Sequence, residues 1–191
     1  MNRHLRALTE GAIFTALAMV LSYLEIPIGL SFGGFGGSIS FVMLPIVLYA
    51  VRWGAARGVI VALVFGMLKY FFSNGWAVSW VSIIFDYALA YAAVGLAGIT
   101  CRRKNGLIFG GLIGAFARFI IHFISGVTVY AQYMPDEFLN LPMTSPVIYS
   151  ILYNGTYMLP NTVILVVLCV ALTYPLRKYI TGNDISNYFE K

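Results

Sequence analysis

Along the chain, long apolar runs alternate with short polar or glycine-rich breaks. The runs cover residues 7–26, 39–52, 56–73, 78–100, 106–130 and 147–175. A helix needs about 20 consecutive apolar residues to cross a bilayer, and six crossings are the most economical reading of this pattern. The second run is short for a crossing. It is expected to begin inside the glycine-rich stretch before it, or to be tilted or partly re-entrant. The basic start, with Arg3, His4 and Arg6, resembles the head of a signal peptide. Glu10 follows it, however, and the run to Ile26 carries no small-residue cleavage pattern, so a retained first helix is expected. The pattern therefore predicts an all-α, polytopic integral membrane protein. It is read as a single membrane domain over residues 1–191, a six-transmembrane-helix bundle.

Composition narrows this further. Of 191 residues, 60% are hydrophobic and 10% charged, against about 25% charged in a soluble domain. So few charges cannot coat a water-soluble globule. Once about 120 residues are assigned to six spans, no room is left for a built-in ATPase. The net charge of +5 is explained by topology. Arg3 and Arg6, Arg52 and Arg57, Arg102, Arg103 and Lys104, and Arg177, Lys178 and Lys191 fall in alternate connections, ten of the twelve basic residues. The connections 27–38, 74–77 and 131–146 hold none. The positive-inside rule then puts both termini in the cytoplasm. Bases scattered over four short segments do not describe a nucleic-acid surface. Cys101 and Cys169 are too few and too far apart for a disulfide framework or a cysteine metal site.

Two features suggest a ligand site near the outer side. The loop Pro27–Ser38 holds five glycines and is permissive enough to approach a ligand closely. Several ionisable or polar groups also fall at membrane depth, where such groups by default mark a site or a polar pathway. Lys69, near the end of the third run, is expected to snorkel. Arg118 and His122, four apart, share a helix face that continues to Gly126 and Tyr130. Asp86, followed by Tyr87, is the one carboxylate in the middle of an apolar run. Tyr149, Tyr153, Asn154 and Tyr157 gather at the start of the last run. A carboxylate, an imidazole, an amide and many aromatic rings suit a planar, cationic or amine-bearing small molecule, with each cation–π contact supplying about 0.5–2 kcal/mol. Neither a Walker motif nor a metal-ligand cluster appears. Gly106, Gly110 and Gly114 form a small-residue ridge read as packing, and Ala12 and Ala16 form another.

These residues carry a family resemblance. Arg118–Gly126 (RFIIHFISG), Tyr130–Pro135 (YAQYMP) and Pro146–Gly155 (PVIYSILYNG) are long, specific strings. They are supported by Leu44-Pro45-Ile46, Arg52-Trp53-Gly54 and the pair Asp86-Tyr87. Over nearly all of residues 7–175 the chain resembles the thiamine-specific substrate-binding (S) components of prokaryotic energy-coupling-factor (ECF) transporters. The resemblance implies a cell-membrane protein that captures thiamine from outside the cell. A transmembrane coupling subunit and two cytoplasmic ATPase subunits would then drive its release inward. The chain itself would hydrolyse nothing and carry no cofactor or metal. Position by position, the resemblance assigns substrate contacts to Asp86 (often Glu in the family), Tyr87, His122, Gly126, Tyr130, Tyr149 and Asn154. Phe35 is the counterpart of a loop aromatic and Trp76 of an aromatic before the acid. The same resemblance makes loop 27–38 a lid and assigns Ala12 and Ala16 to docking on the coupling subunit. Two other readings stay open from the residues alone. One is a stand-alone facilitator or proton-coupled carrier with Asp86, Arg118 and His122 as a relay. The other is a membrane enzyme using Asp86 and His122 as acid and base.

Overall fold

The structure is a computed structural model describing residues 2–28, 36–72 and 77–186. In chain order its helices are α1 (Arg3–Ser22), α2 (Met43–Trp53), α3 (Ala55–Phe72), α4 (Trp80–Thr100), α5 (Gly106–Thr128) and α6 (Pro146–Thr173), followed by the short α7 (Arg177–Ile180) and α8 (Asn183–Ser186). Five of these, α1 and α3 to α6, are long and apolar enough to cross a membrane. The distribution of side chains is inverted relative to a soluble protein. Leu159, Val163, Val167 and Val170 of α6 and Phe109 and Phe116 of α5 are exposed, while Arg52, Lys69, Arg118, His122, Asn154 and Asn161 are buried. Apolar surface on this scale needs lipid to cover it.

The second apolar run does not begin inside the glycine-rich stretch, the first of the arrangements expected for it. Its helix starts at Met43, after the glycine-rich stretch, and at 11 residues it extends only about 16 Å. It is central: every residue from Met43 to Trp53 except Leu44 is buried. The chain before it forms a short antiparallel ladder, β1 (Ile26–Pro27) with β2 (Ser38–Ile39), pairing Ile26 with Ile39 and Pro27 with Ser38. Non-helical backbone at this depth must find partners inside the protein. Asn161 of α6 supplies them, accepting from Ser40 N–H at 2.8 Å and donating to the Ser38 carbonyl at 2.7 Å.

α3 and α4 pack through glycine. A Cβ on Gly58 would sit 2.8 Å from the Gly95 carbonyl, and one on Gly66 would run into the Tyr87 carbonyl. Such close backbone approach is the membrane use of small residues. Opposite Gly66, α4 is wound as a π-helix over Ile83–Leu89, with the Ala90 N–H reaching back five residues to the Phe85 carbonyl. Wide turns of this kind recur at functional sites, and this one carries Asp86 and Tyr87.

At the end of the bundle where α1 begins, one guanidinium ties the structure together. Arg52, expected in a turn, belongs to the last turn of α2 and is fully buried. It donates to Glu10 of α1 at 2.7 and 3.1 Å, to Asp184 of α8 at 2.8 and 2.9 Å, and to the Tyr179 carbonyl at 2.6 Å. Its guanidinium carbon also lies 3.8 Å from the centre of the Tyr179 ring. Glu10 accepts further from Arg6, Trp53 and Tyr179. Burial alone would raise the Asp184 carboxyl, but the Arg52 hydrogen bonds and charge hold it below its ordinary value.

The glycine contact beside the π-helix gives a direct test. Gly66→Ala should destabilise the protein by about 1–3 kcal/mol, the usual cost of overpacking. Thermal unfolding in detergent should show a lower midpoint, whereas Gly155→Ala, where a Cβ meets nothing within 4 Å, should leave it unchanged.

Candidate functional site

At the opposite end, where α1 finishes, the helices enclose a cavity of about 210 Å³. Its walls come from α3 (Lys69), α4 (Asp86, Tyr87, Tyr91), α5 (Arg118, His122, Gly126) and α6 (Tyr149, Ser150, Tyr153, Asn154, Tyr157). Tyr130, just past α5, and the feet of the β1–β2 ladder also line it. Seven of the residues assigned from sequence therefore face one space: Asp86, Tyr87, His122, Gly126, Tyr130, Tyr149 and Asn154. Phe35 and Trp76 lie outside the described residues, as does the middle of the expected lid loop. Ala12 and Ala16 are exposed on α1, away from the cavity.

The polar groups form a directed chain. Arg118 donates from Nε to His122 Nε2 at 3.2 Å. A guanidinium can only donate, so Nε2 carries the lone pair and the imidazole proton sits on Nδ1. That proton points at Asp86 Oδ1, 3.3 Å away. Tyr130 donates its hydroxyl proton to the other oxygen, Oδ2, at 2.9 Å. The carboxylate thus receives two neutral donors while the Arg118 charge stands one residue behind. Arg118 also donates from Nη2 to the Tyr91 hydroxyl at 3.1 Å and lies 4.2 Å from the centre of that ring. Phe65 of α3 braces Tyr91 edge-on at 4.8 Å. Nη1 of Arg118 is buried and has no hydrogen-bond partner among the described residues.

α6 contributes an aromatic column with four-residue spacing. Tyr149 and Tyr153 have ring centres 5.6 Å apart, Tyr153 and Tyr157 6.1 Å, and Tyr157 meets the His122 ring edge-on at 5.8 Å. The hairpin of β3 (Glu137–Phe138) and β4 (Leu141–Pro142) braces this column. Its two-residue turn, Leu139-Asn140, has positive φ at both positions, the geometry that suits a tight hairpin. The hairpin seats Phe138 5.4 Å from Tyr149 and 5.8 Å from Tyr153. Tyr153 donates to the Gly36 carbonyl. Gly37, with φ 98°, lies so close to Tyr157 that a Cβ would enter its ring. The ladder feet are therefore keyed to the aromatic column.

Gly126 and Asn154 have a structural role that their spacing did not reveal. A Cβ on Gly126 would collide with the Ser150 hydroxyl. Asn154 Nδ2 lies 2.8 Å from the Ser150 carbonyl and 3.3 Å from the His122 carbonyl, and its Oδ1 accepts from Tyr157. Asn154 therefore bolts α6 to the turn of α5 that carries His122. Lys69 does not snorkel. It is buried and bonds Glu25 at 2.7 Å, and Ser38 donates to the same Glu25 oxygen at 2.9 Å. Sequence reasoning missed this trio. A lysine three residues from a helix end looks free to bend away, and its partner lies on another element.

The family described as "Thiamine transporter protein" covers residues 8–181. The chain belongs to this thiamine transporter family. Thiamine transporter ThiT of Bacillus subtilis (strain 168) is 32% identical over 189 residues, spanning 88% of this chain and 91% of that one. ThiT of Lacticaseibacillus paracasei is 30% identical over 202 residues, spanning 97% and 96%. Among solved structures, ThiT from Listeria monocytogenes matches with a TM-score of 0.78 at 25% identity, over 94% of this chain and 99% of that one. The S component of a bacterial ECF transporter shares the fold, with a TM-score of 0.60 at 18% identity over 93% and 99%. Membership of this family, with apolar helices of this length, makes the chain a membrane protein.

The proton assignment on His122 is directly measurable. The chain has two histidines, so ring ¹⁵N signals are readily separated by a His4→Gln variant. The wild type should show a His122 tautomer protonated on Nδ1. Arg118→Met should weaken that bias, because Asp86 alone then orients the ring.

Proposed function

We propose that the chain captures thiamine from outside the cell as the substrate-binding subunit of an ECF-type importer. Its S-component fold and thiamine-transporter family membership support the class. The observation that carries the ligand assignment is the convergence of Asp86, His122, Tyr130 and the α6 tyrosines on one cavity. Asp86 is the negative pole. Lys69 and Glu25 neutralise each other, and Arg118 reaches Asp86 only through the imidazole. The carboxylate then accepts from the aminopyrimidine or offsets the thiazolium charge, which would otherwise be desolvated at large cost. The rings of Tyr130 and His122, with Phe35 and Trp76, supply stacking faces. Tyr87, Tyr149 and Asn154 frame the polar edge, and Gly126 lets α5 and α6 close around it.

In this reading both termini are cytoplasmic, as the distribution of basic residues supports, and the cavity opens outward. Loop 27–38 is the lid. ATP is hydrolysed on two separate cytoplasmic subunits. The exposed Ala12–Ala16 face of α1 docks on a transmembrane coupling subunit, as small-residue ridges permit.

Asp86→Asn keeps the volume and removes the charge. Calorimetric titration of the purified variant with thiamine should show affinity weakened by about 30–4,000-fold, the range for losing a buried charged partner, at an unchanged fold by circular dichroism. Equal affinity in variant and wild type would refute the role given to Asp86.

A further inference from the structure

Glu25 lies between α1 and β1 and lines the cavity. Its Oε2 accepts from Lys69 Nζ of α3 at 2.7 Å and from the Ser38 hydroxyl of β2 at 2.9 Å. The Ser38 carbonyl in turn accepts from Asn161 of α6. A polar strap therefore runs from α3 through the ladder to α6. The two charged partners differ in exposure: the Lys69 side chain is 9% exposed and that of Glu25 27%. An ammonium is costly to hold at membrane depth, and a neutral donor can tie the ladder, as Asn161 does at the other end of the strap. What Lys69 adds beyond the tie is a charge. The other charges on the cavity wall are Asp86 and Arg118, and Arg118 stands behind His122. Without the Glu25 carboxylate the wall would carry a net positive charge, with a buried ammonium beside the ligand space.

We infer that Glu25 is a specificity-determining residue: by cancelling the buried Lys69 charge it lets the cavity accept an organic cation. The inference deepens the thiamine reading above and rests on it. The thiazolium ring is a permanent cation, so it responds to the charge on the wall. At an effective dielectric near 20, like charges roughly 10 Å apart change a binding constant by roughly tenfold or more. A neutral ring of the same shape feels almost none of this. The Glu25 charge therefore acts on the ratio of affinities for a cation and its neutral isostere. A role confined to packing would move both affinities together.

The test is calorimetric titration of the full chain in lipid nanodiscs with two ligands, thiamine and the isostere in which a neutral thiophene replaces the thiazolium. Glu25→Gln keeps the size and an acceptor for Lys69 and Ser38, but uncovers the ammonium. It should lower the preference for thiamine over the isostere by roughly tenfold, equivalent to about 1.4 kcal/mol. Lys69→Met leaves the carboxylate uncancelled and should shift the preference the other way. The double variant carries neither charge and should return to within about threefold of the wild-type preference. In the ligand-free protein, Glu25→Gln should melt at a lower temperature than the double variant, because it strands a buried charge. An unchanged preference in Glu25→Gln, or an equal loss for both ligands, overturns the inference. So do shifts of the same sign in the two single variants, or a double variant that melts no higher than Glu25→Gln. Should Glu25→Gln fail to fold, Lys69→Met and the double variant carry the same comparison of preferences. A wild-type chain that binds neither ligand refutes the thiamine reading, and the order of melting temperatures still judges whether Glu25 cancels Lys69.

Discussion

A guanidinium cannot be deprotonated, and lipid offers it no partners. Two arginines of this chain are buried, and each must be answered by the protein itself. Arg52 is answered completely: two carboxylates, a backbone carbonyl and an aromatic face surround it. Arg118 is answered by neutral groups, the Tyr91 hydroxyl and the His122 lone pair, and its Nη1 is left over. The first arrangement is what a fixed joint needs. The second suits a site, because its neutral partner His122 lines the cavity and also faces Asp86. The two ends of the bundle differ in this respect, and the rest of the architecture follows from keeping them so.

The irregular features serve the same accounting. The π-helical turn of α4 sets Asp86 toward His122 and Tyr130, and it is accommodated because Gly66 lets α3 approach the Tyr87 backbone. α2 need not cross the full bilayer, because Asn161 satisfies the extended chain that leads into it. Asn154 joins α5 to α6 at the level of the imidazole. Each of these polar side chains closes a backbone or side-chain need that the surrounding helices create.

Much of this was legible in the sequence, and the failures have physical causes. Helix periodicity placed Arg118, His122 and Gly126 on one face, and four-residue spacing grouped the α6 tyrosines. Both survive because α5 and the start of α6 are regular helices. Asp86 stood out for its charge alone, yet its orientation depends on a π-turn that no periodicity announces. Lys69 was misjudged, because its partner Glu25 arrives through a loop. The Arg52 clamp was hidden, because a basic residue between two apolar runs reads as a topology signal whether or not it is paired. Ser150 and Tyr91 also line the cavity and hold Asn154 and Arg118 in place, roles that spacing alone does not announce. Phe35 and Trp76 lie where the structure describes nothing.

The charge balance of the cavity constrains how it can discriminate. Its walls carry Asp86 and Glu25 against Lys69 and Arg118, so their formal charges cancel. A neutral cavity exerts little pull on a distant cation, since long-range steering follows net potential. Selectivity must then come from near-contact geometry. One carboxylate is presented by two neutral donors, flanked by rings at fixed spacing and backed by a positive charge too far away to be an ion-pair partner. A ligand that pairs a positive ring with a hydrogen-bonding heterocycle satisfies all of these at once. A simple cation would satisfy only the first. The same arrangement suits a site that must later give its ligand up, because the groups that answer one another before the ligand arrives can do so again after it leaves.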